Sequence, residues 1–154
     1  MNLLLDMHKL NMLTKFSQAY KVSLMAHLIV EYSANLNSHL SIKSLIAQVH
    51  ASAINTGMFP VGGLRTRAAQ RNHYAIADGD ESNTFVHIIV RVGHGRDQQT
   101  KQAAMQLIFD QTSEFLQQTF DQAPLAISLE LVEIDPLYSF KKNNTHEYVK
   151  SRSV

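Results

Sequence analysis

The hydrophobic pattern divides the chain into two halves of similar element order. In the first half, the aliphatic run "HLIVEY" from His27 predicts a strand. Apolar residues at helical spacing over 40–49 predict a helix, with Ser38 or Ser41 as its N-cap and Gly57 as its stop. The stretch "FPVGGLRTRAAQ" follows and predicts an extended segment.

The second half repeats this order and begins with the most apolar run of the chain. The residues "NHYAIADGDES" between the halves predict a short strand that ends in an Asp-Gly turn. "TFVHIIVRVGHG" predicts a buried strand, Asp97 is the expected N-cap of a long amphipathic helix, and "LAISLELVEI" predicts a final strand. The apolar face of that helix comprises Ala104, Leu107, Ile108, Phe115 and Leu116. The remaining "DPLYSFKKNNTHEYVKSRSV" predicts a turn and an irregular or short helical tail.

The element order predicts an α+β fold. Each half reads strand, helix, strand, which is a βαβ unit whose helix crosses one face of the sheet. Two such units predict a four-stranded sheet with two helices on one face. The other face and the sheet edges need cover, so we expect a homo-oligomer that closes into a ring.

The first 24 residues form a separate segment in this interpretation. Apolar positions recur there at spacings of three and four, at Leu3, Met7, Leu10, Leu13, Phe16 and Tyr20. This spacing predicts an N-terminal extension helix over 1–24, followed by one domain over 25–154. Asp6 and His8 interrupt the apolar run, which argues against a membrane span and against a signal peptide.

Composition narrows the function classes. The formal net charge is +1 and the basic residues are scattered, so we expect neither a nucleic-acid nor a membrane partner. The chain has no cysteine, which excludes disulfides and thiolate chemistry and fits a cytoplasmic location. Its eight histidines lack the spacing of metal-binding motifs, so we expect no metal site and no cofactor.

Two arginines and one histidine are the candidate functional groups. Arg65 and Arg67 are two apart on an extended segment, so both guanidinium groups project to one side of the strand. Such a pair fits a carboxylate ligand, and a surface salt-bridge ladder is the alternative that the spacing leaves open. His87 lies within a strand, where a hydrogen bond to a neighbour is the expected role and proton transfer is the alternative.

Four stretches together resemble the 5-carboxymethyl-2-hydroxymuconate isomerase family of the tautomerase superfamily. They are "HLIVEYS", "TGMFPVGGLRTR", "ADGDESNTFVHIIVRVGHGR" and "FKKNNTH", spread between Ala26 and Lys150. The resemblance implies two βαβ units, a homotrimer, and a keto-enol-type 1,3-proton shift. The implied substrate is a small carboxylated 2-hydroxymuconate of aromatic catabolism, in the degradation of homoprotocatechuate.

The resemblance also implies a site. In the family an amino-terminal proline is the base, and the matching position here is Ala26. Arg65 matches the family's catalytic and substrate-binding arginine, with Arg67 as a second contact. The family's "FKxNN" pattern matches Phe140, Lys141, Asn143 and Asn144, of which Phe140, Asn143 and Asn144 are expected to border the substrate.

Ala26 divides the functional hypotheses. If the chain begins at Met1, the Ala26 nitrogen is an amide and cannot act as a base, whereas a start at Met25 exposes a primary amine there. The first hypothesis is an isomerase that acts from the shorter start or with another base. The alternative is a catalytically inactive tautomerase-fold protein that binds small carboxylates. A third hypothesis gives the 24-residue extension a structural role, in covering the pocket or in assembly.

Overall fold

The computed structural model describes residues 25–152, within which the two predicted halves are present. The strands are β1 (Ala26–Ser33), β2 (Leu64–Arg71), β3 (Thr84–Gly93) and β4 (Leu125–Ile134), and the helices are α1 (Ile42–Asn55), α2 (Gln98–Gln122) and α3 (Thr145–Arg152). Short 3-10 turns cover Ala34–Ser38, Val61–Gly63 and Pro136–Tyr138. The extension helix expected over 1–24 lies outside the described residues.

One mixed sheet joins the two halves in the order β2-β1-β3-β4. β1 and β2 are parallel, β3 and β4 are parallel, and β1 runs antiparallel to β3. Each half is therefore a βαβ unit, and the two units meet along the β1–β3 pair. This topology confirms the predicted α+β fold.

The hydrophobic core lies between the sheet and helices α1 and α2. Every second residue of β1 and β3 is buried: Ala26, Leu28, Val30, Tyr32, Val86, Ile88, Val90 and Val92. From α2, the residues Ala104, Ile108 and Leu116 are buried as predicted, whereas Phe115 is 39% exposed. Within 25–152, no helix combines the length and apolar character needed to cross a bilayer.

The opposite face of the sheet carries no helix from α1 or α2. We call it the open face. Its central residues alternate with the buried ones, and Ile29 of β1 lies in register with Ile89 of β3. Both of these isoleucines remain half-exposed in the single chain. The open face is therefore the surface that the sequence predicted to need cover.

Local chemistry explains where the helices begin and end. The Ser41 side chain accepts a hydrogen bond from the amide of Ser44 and caps α1. Asp97 accepts one from the amide of Thr100 and caps α2. Gly57 adopts φ +67° directly after α1, a conformation that favours glycine. Of the two serines considered, Ser41 is the cap, and the predictions for Asp97 and Gly57 are confirmed.

The predicted short strand in "NHYAIADGDES" is wrong. Residues 72–83 form a loop in which short polar side chains satisfy the backbone. The Asn83 amide group donates to the Ile76 carbonyl and to the Asp78 carboxylate, at 3.0 and 2.9 Å. Ala77 (φ 51°) and Gly79 (φ 87°) turn the chain. Because these bonds are local, the segment adds no strand to the sheet.

The tail after β4 folds back onto the turn before β2. α3 packs against the 3-10 turn Val61–Gly63, which replaces the start of the extended segment predicted there. The Gly62 carbonyl accepts hydrogen bonds from the side chains of Asn143 and Thr145. The tail is thus hydrogen-bonded to the chain three residues before Arg65.

We expect Gly62→Ala to loosen the tail. A Cβ at this position would lie 2.6 Å from His146 Cα, closer than carbon atoms approach, so α3 must shift. Overpacking of this kind costs about 1–3 kcal/mol. Amide hydrogen exchange should show lost protection confined to α3. Gly79→Asn is the matched control, because no atom lies within 4 Å of its Cβ and the strain of its positive φ falls in the loop 72–83, away from α3. Equal losses of α3 protection in both variants would contradict the prediction.

Candidate functional site

The site begins at the first residue of β1. Ala26 is 1% exposed and lies in register between Leu64 of β2 and Val92 of β3. In the printed chain its nitrogen is joined to Met25 by a peptide bond. An amide nitrogen is not basic, so Ala26 cannot act as a base when it is joined to Met25 in this way.

The next residue starts a row of cationic side chains across the sheet. His27 lies in register with Arg65 of β2 on one side and Arg91 of β3 on the other. Side chains in register share a face, and this one is the open face, because Ala26 and Leu28 on either side of His27 are buried against the helix layer. Three adjacent strands therefore bring two guanidinium groups to one imidazole.

A direct contact fixes the protonation of His27. The Arg67 Nη1 lies 3.2 Å from His27 Nδ1. Because a guanidinium only donates, Nδ1 accepts this hydrogen bond and the ring proton is on Nε2. Burial, followed by the charges of Arg67, Arg65, Arg91 and Lys141, lowers the pKa of His27 from its ordinary value. The imidazole is therefore neutral at pH 7.

Two further cations approach the same end of β1. The Arg96 guanidinium donates to the carbonyls of Gly93 and Met58, at 3.1 and 3.5 Å, and lies 5.9 Å from the centre of the Phe59 ring. Burial lowers the pKa of Arg96. Burial and then the charge of Arg96 lower the pKa of Lys141, and the charge of Lys141 contributes in turn to the lowered pKa of His27.

We call His27, Arg65, Arg67, Arg91 and Lys141 the cationic cluster. Ion pairs within residues 25–152 join Arg71 to Glu31, His87 to Glu130, and both His94 and Lys101 to Glu133. Arg65 donates to the Gly63 carbonyl, and neither it nor Arg67 has a carboxylate partner in that part of the chain. The salt-bridge ladder left open by the sequence is thus not formed there, and the cluster favours an anionic ligand.

Arg65 also lines a cleft of about 230 Å³ between the edge of the sheet and α3. The other lining residues are Val61, Gly62, Leu64, Thr145, Tyr148, Val149 and Arg152. The cleft thus borders the turn that holds the tail.

The three predicted tail residues occupy different environments. The Asn143 amide group donates to the Gly62 carbonyl at 3.1 Å, and its oxygen accepts from the amide of Thr145 at 2.8 Å. The Asn144 carbonyl accepts from two amides of the first turn of α3. Phe140 is 94% exposed. Asn143 therefore holds the tail in place, and contact of the three residues with a substrate stays a prediction.

His87 lies apart from the cluster. Its Nδ1 is 2.7 Å from the Ser128 hydroxyl, and Nε2 is 3.6 Å from the Glu130 carboxylate. The expected hydrogen bond to a neighbouring strand is therefore present. Arg91, which pairs with His27, is four residues further along β3, a distance of about 13 Å. Within the described residues, no group of three histidine or acidic side chains could hold a metal ion.

Sequence reasoning missed three groups of this site. His27 and Arg91 were read only as members of strands, and Arg96 only as the end of a resembling stretch. The antiparallel register of β1 and β3 brings His27 and Arg91 together, and a single sequence does not specify that register. Lys141 was visible within the "FKxNN" pattern. Arg91 could have been found from the sequence, because it is an arginine near the end of an apolar strand and alternates with the buried residues there.

We expect an NMR titration to place the pKa of His27 below its ordinary value. An added dicarboxylate should raise this pKa, because a bound anion offsets the surrounding positive charge. Unfolding takes up a proton between the lowered and the ordinary pKa, so the free energy of unfolding falls as pH drops below 6.5 and then levels off. A His27 pKa at or above the ordinary value of 6.5 would contradict this arrangement.

Two βαβ units around one sheet define a tautomerase-like fold. The structure described as "F6 fused 4-OT wild type asymmetric trimer" shares this fold at 14% identity, with a TM-score of 0.57 over 80% of this chain and 98% of that one. At this identity the likeness concerns the fold alone.

Closer comparisons show the family. The family model for 5-carboxymethyl-2-hydroxymuconate isomerase matches residues 26–149. The 5-carboxymethyl-2-hydroxymuconate Delta-isomerase of Escherichia coli is 32% identical over 126 residues, which cover 82% of this chain and all of the relative. A 5-carboxymethyl-2-hydroxymuconate isomerase structure from Deinococcus radiodurans R1 superposes with a TM-score of 0.76 at 32% identity, covering 84% and 97% of the two chains. The chain belongs to the 5-carboxymethyl-2-hydroxymuconate isomerase family.

Proposed function

We propose that this protein is an isomerase that moves a proton along a carboxylated 2-hydroxymuconate in aromatic catabolism, in the degradation of homoprotocatechuate. The observation that carries the proposal is the cationic cluster at the start of β1. Its residues Arg65 and Arg67 have no carboxylate partner within residues 25–152. Family membership supports the reaction class. The absence of cysteine fits a cytoplasmic enzyme.

The charges of the cluster suit the substrate at two stages. Arg65 and Arg67 are placed to bind carboxylates, for which the planar guanidinium offers paired donors. When a proton leaves the substrate, negative charge spreads to the carbonyl oxygen. Fixed cations close to that oxygen stabilise the dienolate more than the starting molecule, which lowers the barrier.

We also propose that the protein is a homotrimer. A tautomerase-fold neighbour is described as a trimer. The open face presents the Ile29–Ile89 pair, and the segment after β4 exposes Leu137 (67%), Tyr138 (82%) and Phe140 (94%). Packing the sheets of three copies around an axis would remove these apolar groups from water.

The alternative function is carboxylate binding without catalysis. The observation in its favour is that the Ala26 nitrogen is an amide in this chain, whereas the family has a free amino-terminal base at the matching position. If the protein begins at Ala26 in its native source, an exposed primary amine restores a base at that position. The family model matches residues 26–149, and the match to the Escherichia coli relative covers all of that relative, so we propose that the predicted domain over 25–154 is the isomerase domain.

The test compares the full chain with a chain that begins at Ala26. Ketonisation of 2-hydroxymuconate is followed by ultraviolet absorbance, and binding of adipate, an unreactive dicarboxylate, by calorimetry. Turnover by either chain supports the isomerase. Adipate binding without turnover by either chain supports the alternative, and neither binding nor turnover rejects both. Intact mass of the protein from its native source then shows which chain is the natural one.

A further inference from the structure

Because the Ala26 nitrogen is an amide, proton transfer at the cationic cluster requires another base. A base must be unprotonated near neutral pH, which excludes the arginines and disfavours the lysine of the cluster. His27 is the remaining member. It follows Ala26 directly in β1, and its Nδ1 accepts the hydrogen bond from Arg67. One ring therefore presents a lone pair at Nδ1 and a proton at Nε2.

We propose that His27 is the proton-transferring base of the full-length chain, an inference that rests on the proposed isomerase function. A substrate carboxylate that takes the Arg67 guanidinium frees the lone pair of Nδ1. The imidazole then removes the proton of the 2-hydroxyl group, and the electron pair of that O–H bond forms the carbonyl while negative charge spreads into the conjugated system. The resulting imidazolium returns a proton to the carbon two atoms away from that oxygen. One O–H bond breaks and one C–H bond forms, so no external reactant is needed.

The surroundings of His27 suit this role. Arg65 and Arg67 face it from β2, Arg91 faces it from β3, and Lys141 approaches it from the tail. Glu31, four residues further along β1, is paired with Arg71. The free protein thus keeps His27 unprotonated, and the negative charge of the dienolate stabilises the imidazolium at the moment it forms.

The geometry separates His27 from the other histidines of the sheet. His87 is held by Ser128 and Glu130, about 13 Å along the strands from His27 and Arg91. His94 lies against the Glu133 carboxylate, 3.2 Å away, which Lys101 also contacts. Neither adjoins Arg65 or Arg67 in the register, so neither is placed beside the carboxylates that these arginines would bind.

The experiment compares His27→Asn with His87→Asn in the full-length chain. Asparagine keeps an oxygen that can accept from Arg67 but cannot carry a proton from the substrate hydroxyl to carbon. We expect His27→Asn to lower kcat for 2-hydroxymuconate by at least about 100-fold. Adipate affinity should change by less than about threefold, because the arginines remain. His87→Asn should retain the wild-type kcat.

A second readout avoids substitution. The kcat/KM of the wild-type chain should fall in acid, with a midpoint equal to the His27 pKa measured by NMR. If His27→Asn keeps kcat within about tenfold of the wild type, the proposal is overturned while the isomerase stands. If the full chain binds adipate without turning over 2-hydroxymuconate, both the proposal and catalysis by this form fail. If His87→Asn lost activity and His27→Asn did not, the base would be His87 and the proposal would be overturned as well.

Discussion

Arg65→Ala is expected to abolish most of the isomerase activity. The guanidinium of Arg65 is in register with His27 and lines the cleft beside α3, where it can face both a carboxylate and the charge that forms during reaction. Removing one such donor costs about 100- to 1,000-fold in rate. Ketonisation of 2-hydroxymuconate measures this loss. Calorimetry should also show weaker adipate binding, since a hydrogen bond to a charged group contributes about 1.5–3 kcal/mol.

Arg71→Ala is the matched control for this experiment. Arg71 lies on the same strand, six residues from Arg65, which is about 20 Å along β2. Its guanidinium pairs with Glu31, and both side chains are exposed or half-exposed. An exposed ion pair contributes about 0–1 kcal/mol to stability, so this variant should fold and turn over normally. Equal losses in the two variants would show that general positive charge, rather than the position of Arg65, governs the activity.

Ile88→Ala is expected to have the largest effect on stability. Ile88 is fully buried at the centre of β3, where it faces the helix layer. Truncation of such a side chain leaves a cavity and costs about 2–5 kcal/mol. Small domains have only about 5–15 kcal/mol of stability in total. Urea denaturation should therefore show a clearly lowered midpoint with an unchanged slope.

Ile89→Ala separates folding from assembly. Ile89 is the next residue of β3, but it lies on the open face opposite Ile29. In a single protomer it is half-buried, so its truncation should cost less than that of Ile88. If the open face packs against other copies, Ile89→Ala lowers the oligomer mass measured by light scattering. Unchanged mass with normal stability would place the interface elsewhere.

The sequence predicted the sheet well because burial alternates strictly in its central strands. The apolar run of β3 and the caps Ser41 and Asp97 each carry a local signal, and the structure follows them. The segment 72–83 carried misleading signals, since "HYAI" favours a strand while the asparagine and aspartates around it satisfy the backbone as a loop. Here short-range hydrogen bonds outweighed β propensity.

The site was only partly predictable from sequence. The spacing of Arg65 and Arg67 was enough to place both on one face of a strand. The position of Arg91 beside His27, 64 residues away along the chain, depends on the register between two antiparallel strands, which packing of the whole sheet sets. The lowered pKa of His27 follows from that arrangement as well, because burial in the sheet and then the nearby charges cause it.

The seam between the two βαβ units runs through the middle of the cationic cluster. Arg65 and Arg67 come from the first unit with His27, whereas Arg91 comes from the second and Lys141 from the tail. Neither unit alone carries the whole set of charges. Anion affinity therefore reports how the two halves join. A chain cut within 72–83 regains the full set of cationic side chains only when both fragments reassemble in the native register.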